Sequence, residues 1–350
     1  MNTRENKKNL EKKLIDDLYR IDIKSISTKE INFFRNKSIL ITGASGIIGL
    51  NLLFFFYKIN RERKTKITID GTYNSYLFNF VKKHFNKNKK VNFIKIDLTE
   101  HKIKNNKKYD LIFHCAGYGQ PSKFLRYKAS TYKLNSNVLM DLSKKLKNKG
   151  RFIYMSSTEI YSGNKKLCTE ESNGLTNTNH PRSSYIESKK FGESFIINCI
   201  KNYLIFRVCL TYGVGAKLND ERVLNQVILR SLKNKHIDVY GGLNQIRSNL
   251  YIDDAVIMMI KSIFKSSNQI YNINNHQMST LGNIFSTISK LSKKKLINHG
   301  SKMKGSPSII KISNKKILKI LNYKVSTSLK VGLTKTINWY SNLIQYNKIS

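Results

Sequence analysis

The sequence predicts an α/β protein built on a doubly wound parallel sheet, with a smaller mixed α/β domain after it. Three observations predict this. The apolar run Ser38-Ile39-Leu40-Ile41-Thr42 leads through a turn with glycines at 43, 46 and 49 into the apolar segment Leu50-Asn51-Leu52-Leu53-Phe54-Phe55-Phe56. That order reads as buried strand, tight turn, helix. Short apolar strands then alternate with helical segments, the pattern of strands joined by crossover helices. Beyond about Arg207 the alternation becomes irregular, as in a domain added at the carboxyl edge of such a sheet.

Taken in order, residues 1–36 are polar, with Leu10, Leu14 and Leu18 at helical spacing, and are expected to pack as a helical extension. Residues 37–206 form the sheet domain. After the first strand, Lys66-Ile67-Thr68-Ile69-Asp70 reads as a second. Val91-Asn92-Phe93-Ile94-Lys95-Ile96 reads as a third, Asp110-Leu111-Ile112-Phe113-His114 as a fourth, and Arg151-Phe152-Ile153-Tyr154-Met155 as a fifth. Leu134 to Leu146 has helical periodicity, with Gly150 as its expected stop. Residues 207–345 make up the second domain, interleaved with the first. No repeat or low-complexity linker interrupts the chain.

Composition narrows the function. Of the 350 residues 40% are hydrophobic, enough for a globular core. No apolar run reaches the ~18 residues of a spanning helix. No secretory apolar segment opens the chain, so a cytoplasmic location is expected. The net charge of +41 is spread along the whole sequence, so nucleic acid is not the expected partner. Its field favours anionic ligands. Cys115, Cys168, Cys199 and Cys209 lack C-x-x-C spacing, and His84, His101, His180, His236, His276 and His299 are far apart in sequence. No metal site is expected, and the thiols are read as reduced.

The glycine turn carries the first chemistry. Gly43, Ser45, Gly46, Ile47, Ile48 and Gly49 form a turn that lets the backbone approach a pyrophosphate against the N–H groups opening the helix. The spacing is G-x-x-G-x-x-G rather than G-x-G-x-x-G. Asp70, at the end of the second strand, is expected to accept from the adenosine ribose hydroxyls. A carboxylate there repels a 2′-phosphate, so NAD is favoured over NADP. If the strand instead runs on through Gly71-Thr72-Tyr73-Asn74, no acid sits at its tip.

Two later stretches carry the second. Met155-Ser156-Ser157-Thr158-Glu159-Ile160-Tyr161 ends the fifth strand, and Pro181-Arg182-Ser183-Ser184-Tyr185-Ile186-Glu187-Ser188-Lys189-Lys190 opens a helix. Tyr185 and Lys189 are four apart and share a helix face. A lysine beside a phenol favours the phenolate that a general base needs, and Ser157 can bond the same reacting oxygen.

With these residues in this order, residues 37–345 resemble the extended short-chain dehydrogenase/reductases, the nucleotide-sugar epimerases, dehydratases and decarboxylases on a Rossmann fold. The resemblance takes in Gly43, Gly46, Gly49, Asp97 with Leu98 before the adenine-contacting turn, His114-Cys115-Ala116-Gly117, Asn135, Ser157 and the Tyr185/Lys189 pair. It implies cofactor contacts from Asp97, Leu98, Cys115, Ala116, Gly117, Asn135, Tyr185 and Lys189. It also implies a nucleotide-sugar substrate and a homodimer through two helices of the sheet domain. The stretch Tyr240-Gly241-Gly242-Leu243-Asn244-Gln245-Ile246-Arg247 to Asp254 is similar to a family segment whose arginine contacts the nucleotide diphosphate, here Arg247.

Within the family the chain looks most like UDP-glucuronate decarboxylases. Pro181 to Lys189 is close to their "PRSxYxEGK" and Asp220-Glu221-Arg222-Val223 resembles their "DxRV". Gly119-Gln120-Pro121-Ser122 sits where theirs carries "ASP". Gln120, Arg182, Arg222 and Arg247 are thereby implied in substrate binding, and Glu159 as a catalytic acid group. Dehydratases of the family carry Asp-Glu after the catalytic hydroxyl, where this chain has Thr158-Glu159. Leu210, Val214 and Ser188 depart from the family pattern. The resemblance implies transient oxidation of the sugar 4-hydroxyl, with decarboxylation of a UDP-uronate slightly ahead of 4-epimerisation. A reductase using exchangeable NADPH and a non-catalytic cofactor sensor are the other classes.

Overall fold

The computed structural model describes residues 3–275, 277–300, 311–321, 323 and 325–349. Helix α1 (Thr3–Leu18) buries Leu14 and Leu18, and α2 (Thr28–Phe33) starts in a capping box between Ser27 and Glu30. Strand β1 (Ser38–Thr42), α3 (Ile47–Arg63), β2 (Thr68–Tyr73), α4 (Asn79–Phe85), β3 (Val91–Lys95) and β4 (Tyr109–His114) follow. Three short helices, α5 (Pro121–Arg126), α6 (Lys128–Asn135) and α7 (Asn137–Ser143), lead into β5 (Leu146–Ser157). After β6 (Leu167–Cys168) come α8 (Ser183–Cys199) and β7 (Tyr203–Val208).

The rest is more irregular, as expected. It runs β8 (Leu210–Tyr212), α9 (Val223–Lys233), β9 (His236–Val239), β10 (Ile246–Arg247), β11 (Asn249–Tyr251), α10 (Ile252–Lys265) and β12 (Gln269–Ile273). Then come β13 (Ser279–Thr280), α11 (Leu281–Ser292), β14 (Lys295–Asn298), β15 (Lys311–Ile312), α12 (Lys315–Leu321) and α13 (Leu329–Ile349). Two-stranded pairs β8–β11, β9–β14, β10–β13 and β6–β15 stand apart from the main sheet.

Seven strands form that sheet in the order β12-β7-β5-β4-β1-β2-β3, every neighbouring pair parallel. Alternation along the strands loads both faces. Ile39, Ile41, Leu111, Phe113, Ile153 and Phe206 turn to the side covered by α3 and α10. Leu40, Ile112, Phe152, Tyr154 and Ile205 turn to the side of Leu134, Val138, Leu139 and Ile196. A parallel sheet with crossover helices is covered on both faces, which explains the near-continuous apolar runs. Chain order reverses between β1 and β4, and the crevice for ligands in such sheets opens at that switch point.

Two expected boundaries move. Gly150 does not stop a helix but lies buried inside β5, where an added Cβ would stand 2.9 Å from the Tyr109 carbonyl oxygen. The helix breaks earlier, at Ser136 and again after Ser143, and the register of β4 against β5 slips between Tyr109 and Leu111. The second strand starts at Thr68 and runs to Tyr73 instead of ending at Asp70. Among the described residues no helix is long and apolar enough to cross a membrane. No group of three His, Cys, Asp or Glu side chains there could hold a metal, with His276 outside the described residues.

Candidate active site

The glycine turn is shaped by contacts that only glycine permits. Gly43 has φ +66, and a Cβ on it would lie 2.8 Å from the Ala116 backbone. At Gly49 a Cβ would lie 2.5 Å from the Gly43 carbonyl oxygen. Gly46 precedes α3 as its N-cap and offers no side-chain cap, so the N–H groups of Ile47 and Ile48 at the helix opening keep their capacity for an anion. Ser45 is buried beside them. These features fit a dinucleotide diphosphate at the switch point.

A chain of hydrogen bonds ties the turn to the next strand end. The Ala116 N–H donates to Thr42 Oγ1 at 3.2 Å, and Thr42 Oγ1 meets His114 Nδ1 at 2.8 Å. His114 Nε2 lies 2.9 Å from the Leu134 carbonyl, which can only accept, so the proton sits on Nε2. Burial lowers this imidazole to about 3, and the ring stays neutral. His114 therefore holds Cys115, Ala116 and Gly117 in place beside Gly43, as a packing histidine and not a base.

Asp70 does not reach the cofactor crevice. It pairs in register with Leu40 in mid-sheet, and its carboxylate accepts from Tyr109 Oη at 2.7 Å and from Lys107 Nζ at 2.9 Å. Both donors belong to the amino end of β4 and the loop before it. The strand continues because β3 pairs with it as far as Tyr73 and Lys95. The β2 tip instead presents Asn74, whose amide donates to Asp97 at 2.8 Å. Asp97 also accepts from the Thr99 N–H at 2.9 Å, with Leu98 between them. The carboxylate argument for NAD over NADP falls away with this placement.

Asn135 is likewise engaged within the protein. Its amide donates to Thr131 O and to Ser188 Oγ, and its oxygen accepts from the Tyr154 hydroxyl at 2.8 Å. It locks α6 to α8 and to the strand carrying Ser157.

Ser157 closes β5 and caps the 3-10 turn Thr158–Tyr161, accepting from the Glu159 N–H at 3.2 Å. Tyr185, in the first turn of α8, is buried and stacked on Phe124 of α5 with ring centroids 4.6 Å apart. Burial pushes its phenol up to about 12, with the Ser157 hydroxyl, Arg182 and Arg222 working the other way and Glu159 adding to the rise. Lys189 lies on the same helix face as Tyr185, as the four-residue spacing suggests. Its Nζ donates to the Met155 carbonyl at 2.6 Å and lies 6.0 Å from the Tyr185 ring centre. Burial lowers this ammonium to about 7.

Arg182 and Arg222 act on the phenol, and Arg247 and Gln120 lie on neighbouring elements. Arg182 grips Glu159, Nη2 donating to Oε1 at 3.0 Å and Nε standing 3.0 Å from Oε2, while its guanidinium covers the Phe124 ring. Arg222 makes a fork onto Asp220 and donates to the Thr211 carbonyl. Arg247 donates to the Ile246 carbonyl and to Gln245 Oε1, and feels both Glu159 and Arg182. Gln120 opens α5 and accepts from the Glu221 N–H at 3.2 Å. Phe124 and Lys217, which contacts Ser45 at 3.2 Å, were not singled out from the sequence. Neither carries a motif, since α5 is short and lysine is everywhere in this chain.

UDP-glucuronic acid decarboxylase 1 of Xenopus tropicalis is 24% identical over 342 residues, covering 93% of this chain and 76% of that protein. The UDP-glucuronic acid 4-epimerase of Bacillus cereus, solved with UDP-glucuronic acid and NAD, superposes with a TM-score of 0.72 at 20% identity, covering 87% of this chain and 99% of that one. The UDP-glucose 4-epimerase of Thermotoga maritima, solved with UDP-glucose, gives 0.72 at 20%, with 88% and 99% covered. The family model of the NAD dependent epimerase/dehydratases matches residues 39–274, from the first strand through the last strand of the main sheet. The chain belongs to the NAD dependent epimerase/dehydratase family.

Proposed function

We propose that the protein decarboxylates a UDP-uronate after transient oxidation of the sugar's 4-hydroxyl. The observation that carries this reading is the Arg182–Glu159 pair set beside Tyr185, with Arg247 close to both. A guanidinium next to the reacting centre matches a carboxylate on the sugar. Thr158, in the position before Glu159, offers no second acid to expel a 6-hydroxyl.

NAD, which Gly43, Gly46 and Gly49 would hold at the glycine turn, would supply the acceptor for the hydride of carbon 4 and the donor that returns it. Tyr185, as phenolate, takes the proton of the 4-hydroxyl, and Ser157 holds the same oxygen. The 4-ketone makes the C6 carboxylate a β-keto acid. The C5–C6 bond then breaks, CO2 leaves, and its electron pair is held as an enolate until carbon 5 is protonated. Arg182 keeps the carboxylate and the Glu159 side chain in fixed places around that carbon. Gln120, Arg222 and Arg247 are assigned to the substrate, Arg247 to its diphosphate.

The same reading takes the protein as a homodimer. Tyr132, Met140, Phe191 and Ile197 are exposed on α6, α7 and α8, an apolar face that supports a second copy packing there. Mass spectrometry of the purified protein with NAD and UDP-glucuronate tests the reaction, with UDP-glucose and UDP-N-acetylglucosamine as separate arms. Loss of CO2 from the uronate supports decarboxylation. A new isomer of unchanged mass makes the protein a 4-epimerase and overturns it, and no product from any arm overturns it as well.

A further inference from the structure

Lys217 stands out because its charge has no acidic partner where one is expected. It lies on the loop after β8, yet its Nζ crosses to the glycine turn and donates to Ser45 Oγ at 3.2 Å and to the Tyr76 carbonyl at 3.2 Å. The ammonium also sits 5.1 Å from the Tyr76 ring centre. No carboxylate lies within ion-pair distance among the described residues, and Asp220, the acid that faces it, is held by the Arg222 fork. Burial, with Lys123 adding like-charge repulsion, lowers the Lys217 ammonium to about 8. A half-buried cation with only neutral acceptors is costly unless an anion joins it.

The loop delivers this side chain from a fixed base. Gly213 and Gly215 take positive φ values of +137 and +93. The Val214 carbonyl accepts from the Asn51 amide of α3 at 2.9 Å, and the Ala216 carbonyl from the Trp339 indole of α13 at 2.8 Å. Tyr340 Oη donates to the Lys217 carbonyl at 3.3 Å. The backbone of Lys217 is thus pinned both to the helix that opens at the glycine turn and to the last helix.

We infer that Lys217 is a binding residue for the cofactor's pyrophosphate, closing over the glycine turn so that its ammonium, the Ser45 hydroxyl and the N–H groups opening α3 converge on the phosphates. A phosphate oxygen outcompetes a hydroxyl and a carbonyl for an ammonium proton. The sequence around the turn supplies no cation of its own, Ala44 to Leu53 being uncharged. The charge that balances the diphosphate comes from the far side of the crevice.

The inference rests on the family's dinucleotide and not on which sugar is processed. Equilibrium dialysis of the full chain with radiolabelled NAD, NADP, ADP-ribose and adenosine tests it, comparing the unaltered protein with Lys217→Met and Lys217→Arg. Lys217→Met should weaken NAD and ADP-ribose by roughly tenfold or more while adenosine stays within about twofold, and Lys217→Arg should recover most of the loss. Unchanged NAD and ADP-ribose binding in Lys217→Met overturns the assignment. An equal loss for adenosine overturns it too, because that marks a disturbed loop. A loss confined to NADP would put the ammonium on a 2′-phosphate and overturn the pyrophosphate contact.

Discussion

Arg182, three residues before Tyr185, forms a two-point ion pair with Glu159, and the two charges act on the Tyr185 phenol in opposite directions. Arg182 draws its proton affinity down and Glu159 raises it. Removing one partner should therefore shift the rate profile one way, and removing the other should shift it back. In Arg182→Met the alkaline rise of kcat with pH moves upward, and turnover at neutral pH drops by roughly tenfold. In Glu159→Gln the same rise moves to lower pH. A kcat–pH series on both variants checks the signs, and equal shifts in one direction would refute the opposed roles.

Tyr185 itself is the proton acceptor in the proposed reaction. Tyr185→Phe keeps the ring stacked on Phe124 and removes only the hydroxyl. Turnover is expected to fall by about 10²–10⁴-fold while NAD affinity is retained. Paired turnover and NAD-binding measurements decide this.

His114 makes stability depend on acid. Its folded-state value of about 3 lies below its ordinary value of 6.5, so between the two the unfolded chain binds a proton that the folded chain refuses. Stability from this residue is complete above pH 6.5 and is lost as pH falls towards 3. Urea unfolding at pH 7 and pH 5 should show the unaltered protein losing about 2 kcal/mol more than His114→Gln over that interval.

Phe191 is 45% exposed on α8, with Ile197 on the same helix at 43%. In the proposed dimer, placing a charge in the middle of that face by Phe191→Asp should leave monomers in light scattering coupled to gel filtration, where the unaltered protein runs as a dimer. A variant that stays dimeric moves the contact to another surface.

Local chemistry explains what the sequence revealed. The turn at Gly43, Gly46 and Gly49 was legible because the φ and close-approach demands act within a few residues. Ser157 and Tyr185 were legible because a strand end and a helix opening each carry a short pattern. Asp70 was misplaced because where a parallel strand ends is set by its neighbours, and β3 extends the pairing to Tyr73. The spacing of Lys189 gave a shared helix face with Tyr185, but said nothing of the Met155 carbonyl to which its ammonium donates. Lys217 gave no sign at all: its partner Ser45 lies 172 positions away, and one lysine among 63 basic residues carries no signal.

The bond from the Trp339 indole to the Ala216 carbonyl sets a timetable for manufacture. The two residues are 123 positions apart, so a polypeptide still leaving the ribosome has finished its sheet before the donor exists. The loop that carries Lys217 stays without this anchor until α13 emerges and docks. Dinucleotide should therefore be captured tightly only once α13 has docked, which ties cofactor capture to the folding of a segment made well after the sheet.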